Sequence, residues 1–225
     1  MNNRLLTGIP VLYNGETFRK SIESVVNECD VLIIDNNSTH DVKLVIDEYD
    51  KRPNVFVIRN KENNFVVAAW NQILQFFLKW NYENLIIMNS DLILNQGWSN
   101  HLENGVSCVI NDGSEKQDKE VFSGTPGIYV NLNVEMAKAV YPVPNDIKLW
   151  FSDDWIYTII RELGYKTIVK HKLIGLHYCG GSQSIAILPN KSETIEADKV
   201  AWAEVVEPLM WERINKLKNE MQKQS

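Results

Sequence analysis

Two groups of acidic and amide side chains in this sequence have types and spacing that suit group-transfer chemistry. Asn89, Ser90 and Asp91 directly follow an apolar run, and Asp153 and Asp154 open a segment with helical periodicity. A carboxylate can bind a hard divalent cation, which stabilises the charge that develops on a leaving group. A second carboxylate can take the proton of an attacking hydroxyl. We therefore expect Asp91 to serve the leaving group and Asp154 to act as the general base.

The elements that must position these side chains alternate between short apolar runs and helical patterns. Strands are predicted at 5–12, 31–34, 55–58 and 85–88, and the intervening segments carry apolar residues at helical spacing. This alternation is typical of an α/β fold in which helices cover a mostly parallel sheet. The run at 85–88 has no polar alternation, so we expect it inside the sheet.

Capping residues and periodicity predict where the helices lie. We expect Thr17 to cap the first helix and Ser152 to cap the helix that carries the acidic pair. A long apolar helix is predicted over 65–80, with Trp70 and Trp80 in the core.

The carboxyl-terminal segment is predicted to be an amphipathic helix over about 193–218, interrupted or kinked near Pro208. We divide the chain into one α/β domain, 1–184, and a helical extension, 185–225. The extension is expected to pack back on the domain or on a second copy of the chain, which would form a homodimer.

Composition narrows the class of protein. The chain has 225 residues, of which 44% are hydrophobic and 23% charged, enough for the core of one large domain. A net charge of −6 disfavours nucleic acid as a partner. No apolar run is long enough to span a membrane and no leader segment is recognisable, so we predict a cytoplasmic protein. Three cysteines at irregular spacing match neither a disulfide framework nor a zinc motif.

The candidate binding residues collect where predicted strands end. In open α/β sheets, ligands bind beyond the carboxyl ends of the strands, where loops and helix starts present free backbone donors. The candidate ligand contacts at this edge are Pro10, Tyr13, Asn14, Asp35, Asn63, Asn89, Ser90 and Asp91. Their common edge predicts a single site.

Six segments, taken together, resemble family 2 glycosyltransferases with a GT-A fold. They are IPVLYN, VLIIDNNSTHD, VIRNKENNFVVAAWNQ, LIIMNSDLIL, WFSDDWIYTIIRELGY and IGLHYCGGS, in the family's order across residues 5–184. The resemblance implies a Rossmann-like, mostly parallel sheet. It also implies transfer of a sugar, with inversion, from a nucleotide-diphosphate donor to a hydroxyl acceptor, a UDP-sugar being favoured.

The resemblance implies roles for individual residues as well. Tyr13 would stack on the nucleotide base, and Asp35 would hydrogen-bond it. Asp91 stands where the family binds the Mn²⁺ or Mg²⁺ ion that bridges the diphosphate, whereas Asn89 replaces the other carboxylate of the usual pair. His177 aligns with a histidine that completes the metal or diphosphate site.

The acidic pair and the donor-side loop complete this assignment. Asp154 takes the position of the catalytic base, next to Asp153. The family's glycine near position 65 is absent and Phe65 stands in its place. The donor-side loop is therefore expected to have a different shape.

Simpler explanations stay open for each residue taken alone. Asp153 and Asp154 could merely favour the positive end of a helix dipole. Asp35 and Asp91 could be turn residues at strand ends. His177 could be a packed, hydrogen-bonded histidine.

Three functions remain in competition. The first is an inverting glycosyltransferase that acts on a glycan or a small molecule. The second is a phage-type DNA glycosyltransferase that acts on a hydroxymethylated base, for which Lys166 and 170–172, or the lysines of KLKNEMQK, would supply the basic surface. The third is a non-catalytic nucleotide-sugar-binding protein. A nucleotidyltransferase or a dehydrogenase would need a glycine-rich phosphate loop, which IPVLYNGETF does not provide.

Overall fold

Strands and helices alternate along the first half of the chain. This computed structural model describes residues 4–102, 106–109, 117, 119–120, 129–169, 174–177 and 190–224. The strands are β1 (Leu5–Val11), β2 (Asp30–Asp35), β3 (Val55–Arg59), β4 (Asn84–Met88), β5 (Leu92–Leu94), β6 (Val106–Val109), β7 (Lys119–Glu120), β8 (Tyr129–Asn133), β9 (Lys166–Val169) and β10 (Ile174–His177). The α-helices are α1 (Gly15–Glu23), α2 (His40–Tyr49), α3 (Phe65–Lys79), α4 (Val134–Val140), α5 (Ser152–Glu162), α6 (Lys191–Ala201) and α7 (Glu207–Gln224).

Five of these strands form the central sheet, in the order β3-β2-β1-β4-β8. The pairs β1–β2, β1–β4 and β2–β3 are parallel, and β8 runs antiparallel to β4. The predicted α/β fold with a mostly parallel sheet is confirmed. So is the interior position of the run at 85–88, because β4 lies between β1 and β8.

Helices cover both faces of this sheet. Successive residues of β2 alternate between two core clusters: Leu32 and Ile34 belong to one, Val31 and Ile33 to the other. The first cluster also contains buried residues of α3, α4, α5 and α7, and the second contains those of α1 and α2. Because both faces are buried, the strands read as continuous apolar runs.

Two small sheets extend the structure. β5 pairs with β10 in an antiparallel ladder, and β9 lies between β6 and β7. No helix in the part of the chain that the structure describes is long and apolar enough to cross a membrane.

The carboxyl-terminal helix continues from α6 to α7 through a π-helical segment, Trp202–Val206. Pro208 is the second residue after this segment. Proline lacks an N–H, and its ring crowds the carbonyl four residues earlier, which a wider turn relieves. Val206, Met210 and Ile214 are buried in the same core cluster as the sheet. The helix therefore packs on the domain, and a π-turn stands where the kink was expected.

Two predicted helix caps are wrong. Asn14, rather than Thr17, caps α1: its Oδ1 accepts the backbone N–H of Thr17 at 3.2 Å. Ser152 is itself the first residue of α5, and Phe151 before it adopts a left-handed conformation with φ of 68°. Asparagine tolerates the left-handed region and ranks among the best capping residues, which explains the choice at α1.

The tryptophans divide between core and surface. Trp70 is buried as predicted, but Trp80 is 51% exposed, so its assignment to the core is wrong. Trp80 is the residue after the last turn of α3, where the helix no longer faces the sheet. Beside the acidic pair, Trp155 is buried and Trp150 is exposed.

The close packing of α3 on the sheet depends on Gly8 in β1. A Cβ at this position would lie 2.4 Å from Cγ2 of Ile73, which is fully buried. We expect Gly8→Ala to lower the free energy of unfolding by about 1–3 kcal/mol, the usual cost of overpacking a core. Chemical denaturation measures this directly.

A double-mutant cycle separates this clash from a general effect of alanine at Gly8. In an Ile73→Ala background the added Cβ has room, so the cost of Gly8→Ala should shrink. Strictly additive losses would show that the contact with Ile73 does not set the packing distance.

Candidate functional site

The polar residues after β1 and β4 lie together at the carboxyl edge of the sheet. Tyr13 follows β1 and Asp91 follows β4, and both side chains are buried, at 5% and 2% exposure. Burial, and next the negative charge of Asp91, raise the pKa of the Tyr13 hydroxyl above its ordinary value. The effect of the Asp91 charge on Tyr13 indicates that the two side chains lie near each other.

Asp35 closes the turn after β2. Its Oδ1 accepts hydrogen bonds from the backbone N–H of Ser38, at 2.8 Å, and from the Ser38 hydroxyl. Nη1 of Arg59 lies 3.6 Å from Oδ2. One carboxylate oxygen is thus committed to the turn, as the simpler explanation expected, and the other faces a cation.

Side-chain amides join the ends of β2 and β3 to the start of α3. Asn36 donates to Oδ1 of Asn63 at 3.0 Å and to the carbonyl of Phe65 at 3.1 Å. Asn60 and Gln72 exchange two further amide hydrogen bonds. The amide oxygen of Asn63 also accepts the N–H of Phe65, so it shapes the loop from within. Asn36 and Gln72 were not singled out from sequence, where amides in polar loops are common.

Phe65 adopts a left-handed backbone with φ of 62°. Glycine enters this region freely, whereas a bulky residue does so under strain. The carbonyl of Lys148 accepts the N–H groups of Val66 and Val67, and its ammonium lies 5.4 Å from the centre of the Phe65 ring. The loop thus has a backbone conformation that suits the expected glycine, and it carries an aromatic ring in addition.

The remaining residues that were predicted to contact the nucleotide-sugar donor lie at or near the same edge. Pro10 lies within β1, and the exposed Asn14 uses its amide oxygen to cap α1. Asn89 is partly exposed at the end of β4, and Ser90 is buried beside Asp91.

Strand pairing brings His177 near this edge. β10 pairs with β5 so that His177 lies opposite Leu92, the residue directly after Asp91. The backbone of the predicted histidine is therefore adjacent to the predicted metal carboxylate. The basic residues at 170–172 lie outside the described residues.

The donor set at Asp91 fits a hard cation that also binds substrate oxygens. Among the side chains that the structure describes, no three His, Cys, Asp or Glu residues cluster as a complete metal site. Mg²⁺ is usually bound by one or two carboxylates together with substrate phosphates and water, so a complete protein cage is not required. The buried Asp91 carboxylate and the Asn89 amide oxygen are the donors that would hold such an ion.

The start of α5 is tied to the same end of β4. Tyr157, in the second turn of α5, donates a hydrogen bond of 2.7 Å to the carbonyl of Tyr129. Tyr129 lies opposite Met88, the last residue of β4, which directly precedes Asn89. The second turn of the helix that carries the acidic pair is therefore attached next to the carboxyl end of β4, which leads into Asn89 and Asp91.

The two acidic residues of α5 have different environments. Asp153 is partly buried, and its Oδ1 accepts the backbone N–H of Asp154 at 3.1 Å. The side chain of Asp154 is exposed, yet desolvation by the surrounding protein raises its pKa, and the charge of Arg161 opposes this shift only in part. Asp153 thus fits the helix-start explanation, whereas Asp154 presents a carboxylate of increased basicity.

Comparison with known proteins identifies the fold. Residues 8–104 match the family model described as Glycosyl transferase family 2, and a search of the curated proteins gave no match. The chain is similar to GalNAc-T7, in its crystal structure with UDP, GalNAc and Mn²⁺, with a TM-score of 0.61 and 14% identity over 76% of this chain and 42% of that chain. The chain has a GT-A fold.

Two further structures share the GT-A fold. Mannosyltransferase PcManGT from Pyrobaculum calidifontis, in complex with GDP-Man and Mn²⁺, has a TM-score of 0.58 and 13% identity over 95% of this chain and 73% of that chain. TarS 1-349 from S. aureus has a TM-score of 0.57 and 14% identity over 75% of this chain and 58% of that chain. The chain thus spans less than two thirds of the length of GalNAc-T7 and of this TarS structure.

The raised pKa of Asp154 predicts how its removal changes stability with pH. The folded state binds the proton of this carboxyl more tightly than the unfolded state, so stability falls as pH rises through the window between the two pKa values. At pH 7 the wild type carries this full penalty, and Asp154→Asn removes it. We expect the melting temperature to rise by about 1–2 °C, since the side chain is exposed and the effect is small.

The matched control is Asp153→Asn, which weakens an acceptor at the helix start and should lower the melting temperature. The gain from Asp154→Asn should vanish near pH 3, where both states are protonated. A melting temperature lowered equally by both variants at pH 7 would contradict the different environments of the pair.

Proposed function

We propose that this protein is an inverting glycosyltransferase that moves a sugar from a nucleotide-diphosphate donor to the hydroxyl of a glycan or a small molecule. The observation that carries the proposal is the hydrogen bond between Tyr157 and Tyr129. It ties the second turn of α5, three residues after the exposed Asp154, to the residue that pairs with the end of β4, the strand that leads into the buried Asp91. Two carboxylates in contrasting environments can divide the roles of general base and leaving-group stabiliser.

The proposed reaction is a single displacement. Asp154 accepts the proton of the acceptor hydroxyl while the oxygen of that hydroxyl forms a bond to the anomeric carbon of the donor sugar. The bond between that carbon and the diphosphate oxygen breaks, and the diphosphate keeps the electron pair. Attack from the face opposite the leaving group inverts the anomeric centre.

The departing diphosphate needs positive charge or hydrogen-bond donors at the sheet edge. A bound Mn²⁺ or Mg²⁺ ion would stabilise its charge. Asp91 and Asn89 would hold that ion, with His177 as a third proposed ligand. The buried Tyr13 hydroxyl has no hydrogen-bond partner among the residues that the structure describes, and a tyrosine hydroxyl is protonated at neutral pH, so it would be able to donate to a phosphate oxygen.

Base recognition is proposed at the end of β2, with a UDP-sugar as the favoured donor. The Oδ1 of Asp35 is occupied by Ser38, which leaves Oδ2, beside Arg59, as the acceptor for a uracil imide. Tyr13 is 5% exposed, so stacking on the base would require the ring to become accessible. Donors of both kinds occur among the similar structures: TarS 1-349 has been crystallised with UDP-GlcNAc, and PcManGT with GDP-Man.

The role of Asp154 is tested by turnover. Asp154→Asn keeps the size of the side chain but cannot accept the proton, so kcat should fall by about 10²- to 10⁴-fold. UDP affinity, measured by calorimetry, should be unchanged because the donor site is intact. The assay measures release of UDP or GDP from UDP-GlcNAc and GDP-Man, with and without candidate acceptors.

Asp153→Asn is the matched control, since it removes the neighbouring carboxylate at the same helix start. It should retain kcat. Loss of turnover in Asp153→Asn alone would move the base by one residue, and normal turnover in both variants would eliminate the proposed mechanism.

Removal of divalent metal tests the role of Asp91. Excess chelator should abolish transfer and weaken UDP binding about tenfold or more, equivalent to about 1.4 kcal/mol or more. Asp91→Asn should make UDP affinity insensitive to added Mn²⁺, whereas Asp154→Asn should leave that dependence intact. Undiminished transfer in chelator would show that donors other than a metal stabilise the diphosphate.

A further inference from the structure

Asp198, in α6, is a buried carboxylate that accepts three consecutive backbone N–H groups. Its Oδ1 accepts from Lys148 at 2.9 Å, and its Oδ2 accepts from Leu149 at 2.7 Å and from Trp150 at 2.9 Å. The residue is 1% exposed. Hydrogen bonds to an ionised acceptor are about twice as strong as neutral ones, so this carboxylate fixes the path of the backbone at 148–150.

The same face of the carboxyl-terminal helix also contacts Phe151, the residue that follows 148–150. Trp202 is four residues after Asp198, which places both side chains on one helix face. Its ring stacks on that of Phe151, with 5.1 Å between ring centres and 19° between planes. Phe151 has the left-handed φ of 68°, and α5 begins at the following residue.

The anchored segment 148–151 connects the two proposed halves of the site. On the donor side, the carbonyl of Lys148 accepts the N–H groups of Val66 and Val67, the residues after Phe65 in α3. On the acceptor side, the segment leads directly into Asp153 and Asp154. Rotation of the backbone within these four residues would therefore displace the start of α5.

We propose that Asp198 is a positioning residue that sets the location of Asp154 through the backbone of 148–151. This inference rests on the proposed function of Asp154 as the general base. It makes the carboxyl-terminal helix part of the machinery for transfer. A base displaced by about 1 Å can lose roughly 10² in rate. The gain in rate from a rigid attachment of its helix can therefore outweigh the cost in stability of burying a charge.

Stability alone is a weak explanation for this carboxylate. Apolar side chains of the same helix, Val206, Met210 and Ile214, already pack into the core. Burying an ionised group carries a desolvation cost, and replacing buried ionic groups by apolar ones is often neutral or stabilising. What the carboxylate supplies in addition is direction, since its two oxygens select one backbone conformation.

The test compares Asp198→Asn with the wild type, using UDP-GlcNAc and GDP-Man as donors and water as the acceptor. Asparagine has one acceptor oxygen. Its NH₂ group is a donor, so it cannot accept the backbone N–H groups that the second carboxylate oxygen accepted. We expect kcat for release of the nucleotide diphosphate to fall about 10- to 100-fold. The Kd for UDP should stay within about twofold, because Asp198 bonds to the backbone of 148–150 and to none of the residues proposed to bind the nucleotide.

Ile214→Ala is the matched control on the same helix, because it leaves a cavity in the core without touching 148–151. It should lower the melting temperature but keep the kcat of the folded protein. Amide hydrogen exchange should accelerate at 148–154 in Asp198→Asn and not in Ile214→Ala. If Asp198→Asn does not fold, Trp202→Leu removes the second contact and should lower kcat with the Kd for UDP unchanged.

The possible outcomes distinguish failure of the positioning role from failure of the proposed function. Wild-type kcat in folded Asp198→Asn, or in Trp202→Leu where only that variant folds, overturns the positioning role while the proposed function stands. A parallel loss of kcat and UDP affinity also overturns it, since Asp198 would then act through the donor side. A wild-type protein that neither binds UDP nor releases nucleotide diphosphate from either donor removes the proposed function, and the positioning role with it.

Discussion

Backbone N–H groups at the carboxyl edge of the sheet need acceptors once they leave the strand ladders, and this requirement organises the structure. A buried donor without a partner costs about as much as a lost hydrogen bond. Side chains supply the acceptors here: Asp35 to Ser38, Asn63 to Phe65, and Asp198 to the segment 148–150. The loops that surround the candidate site are therefore held by specific carboxylates and amides.

This arrangement divides the acidic residues at the edge by task. Asp35 and Asp198 direct oxygens at backbone donors, and Asp153 does so at the start of α5. Asp154 instead combines an exposed side chain with a raised pKa. General-base chemistry requires a carboxylate whose basicity is raised by its surroundings, even at some cost to folding. A purely structural role has no such requirement.

The sequence predicted the part of the fold that local patterns encode. Apolar runs located β1 to β4, and polar residues at their ends located the edge where Tyr13 and Asp91 meet. The exposure of Trp80 was mispredicted because helical periodicity does not show where a helix leaves the sheet. The contacts of Asp198 could not be predicted for another reason. Its partners are about 50 residues earlier, and no local spacing links a helix residue to a distant loop.

Phe65 shows how the same edge tolerates a departure from the expected sequence. A left-handed φ at a bulky residue costs of order 1–3 kcal/mol and persists only where neighbours fix the backbone. Here Asn36 and Asn63 hold the residue from β2 and the loop, and the carbonyl of Lys148 holds the helix start that follows. Because the backbone of Lys148 is itself bound by Asp198, the strained loop and the segment that leads into the acidic helix share one anchor. The carboxyl-terminal helix therefore connects the two elements to which the proposed reaction assigns the donor and the acceptor.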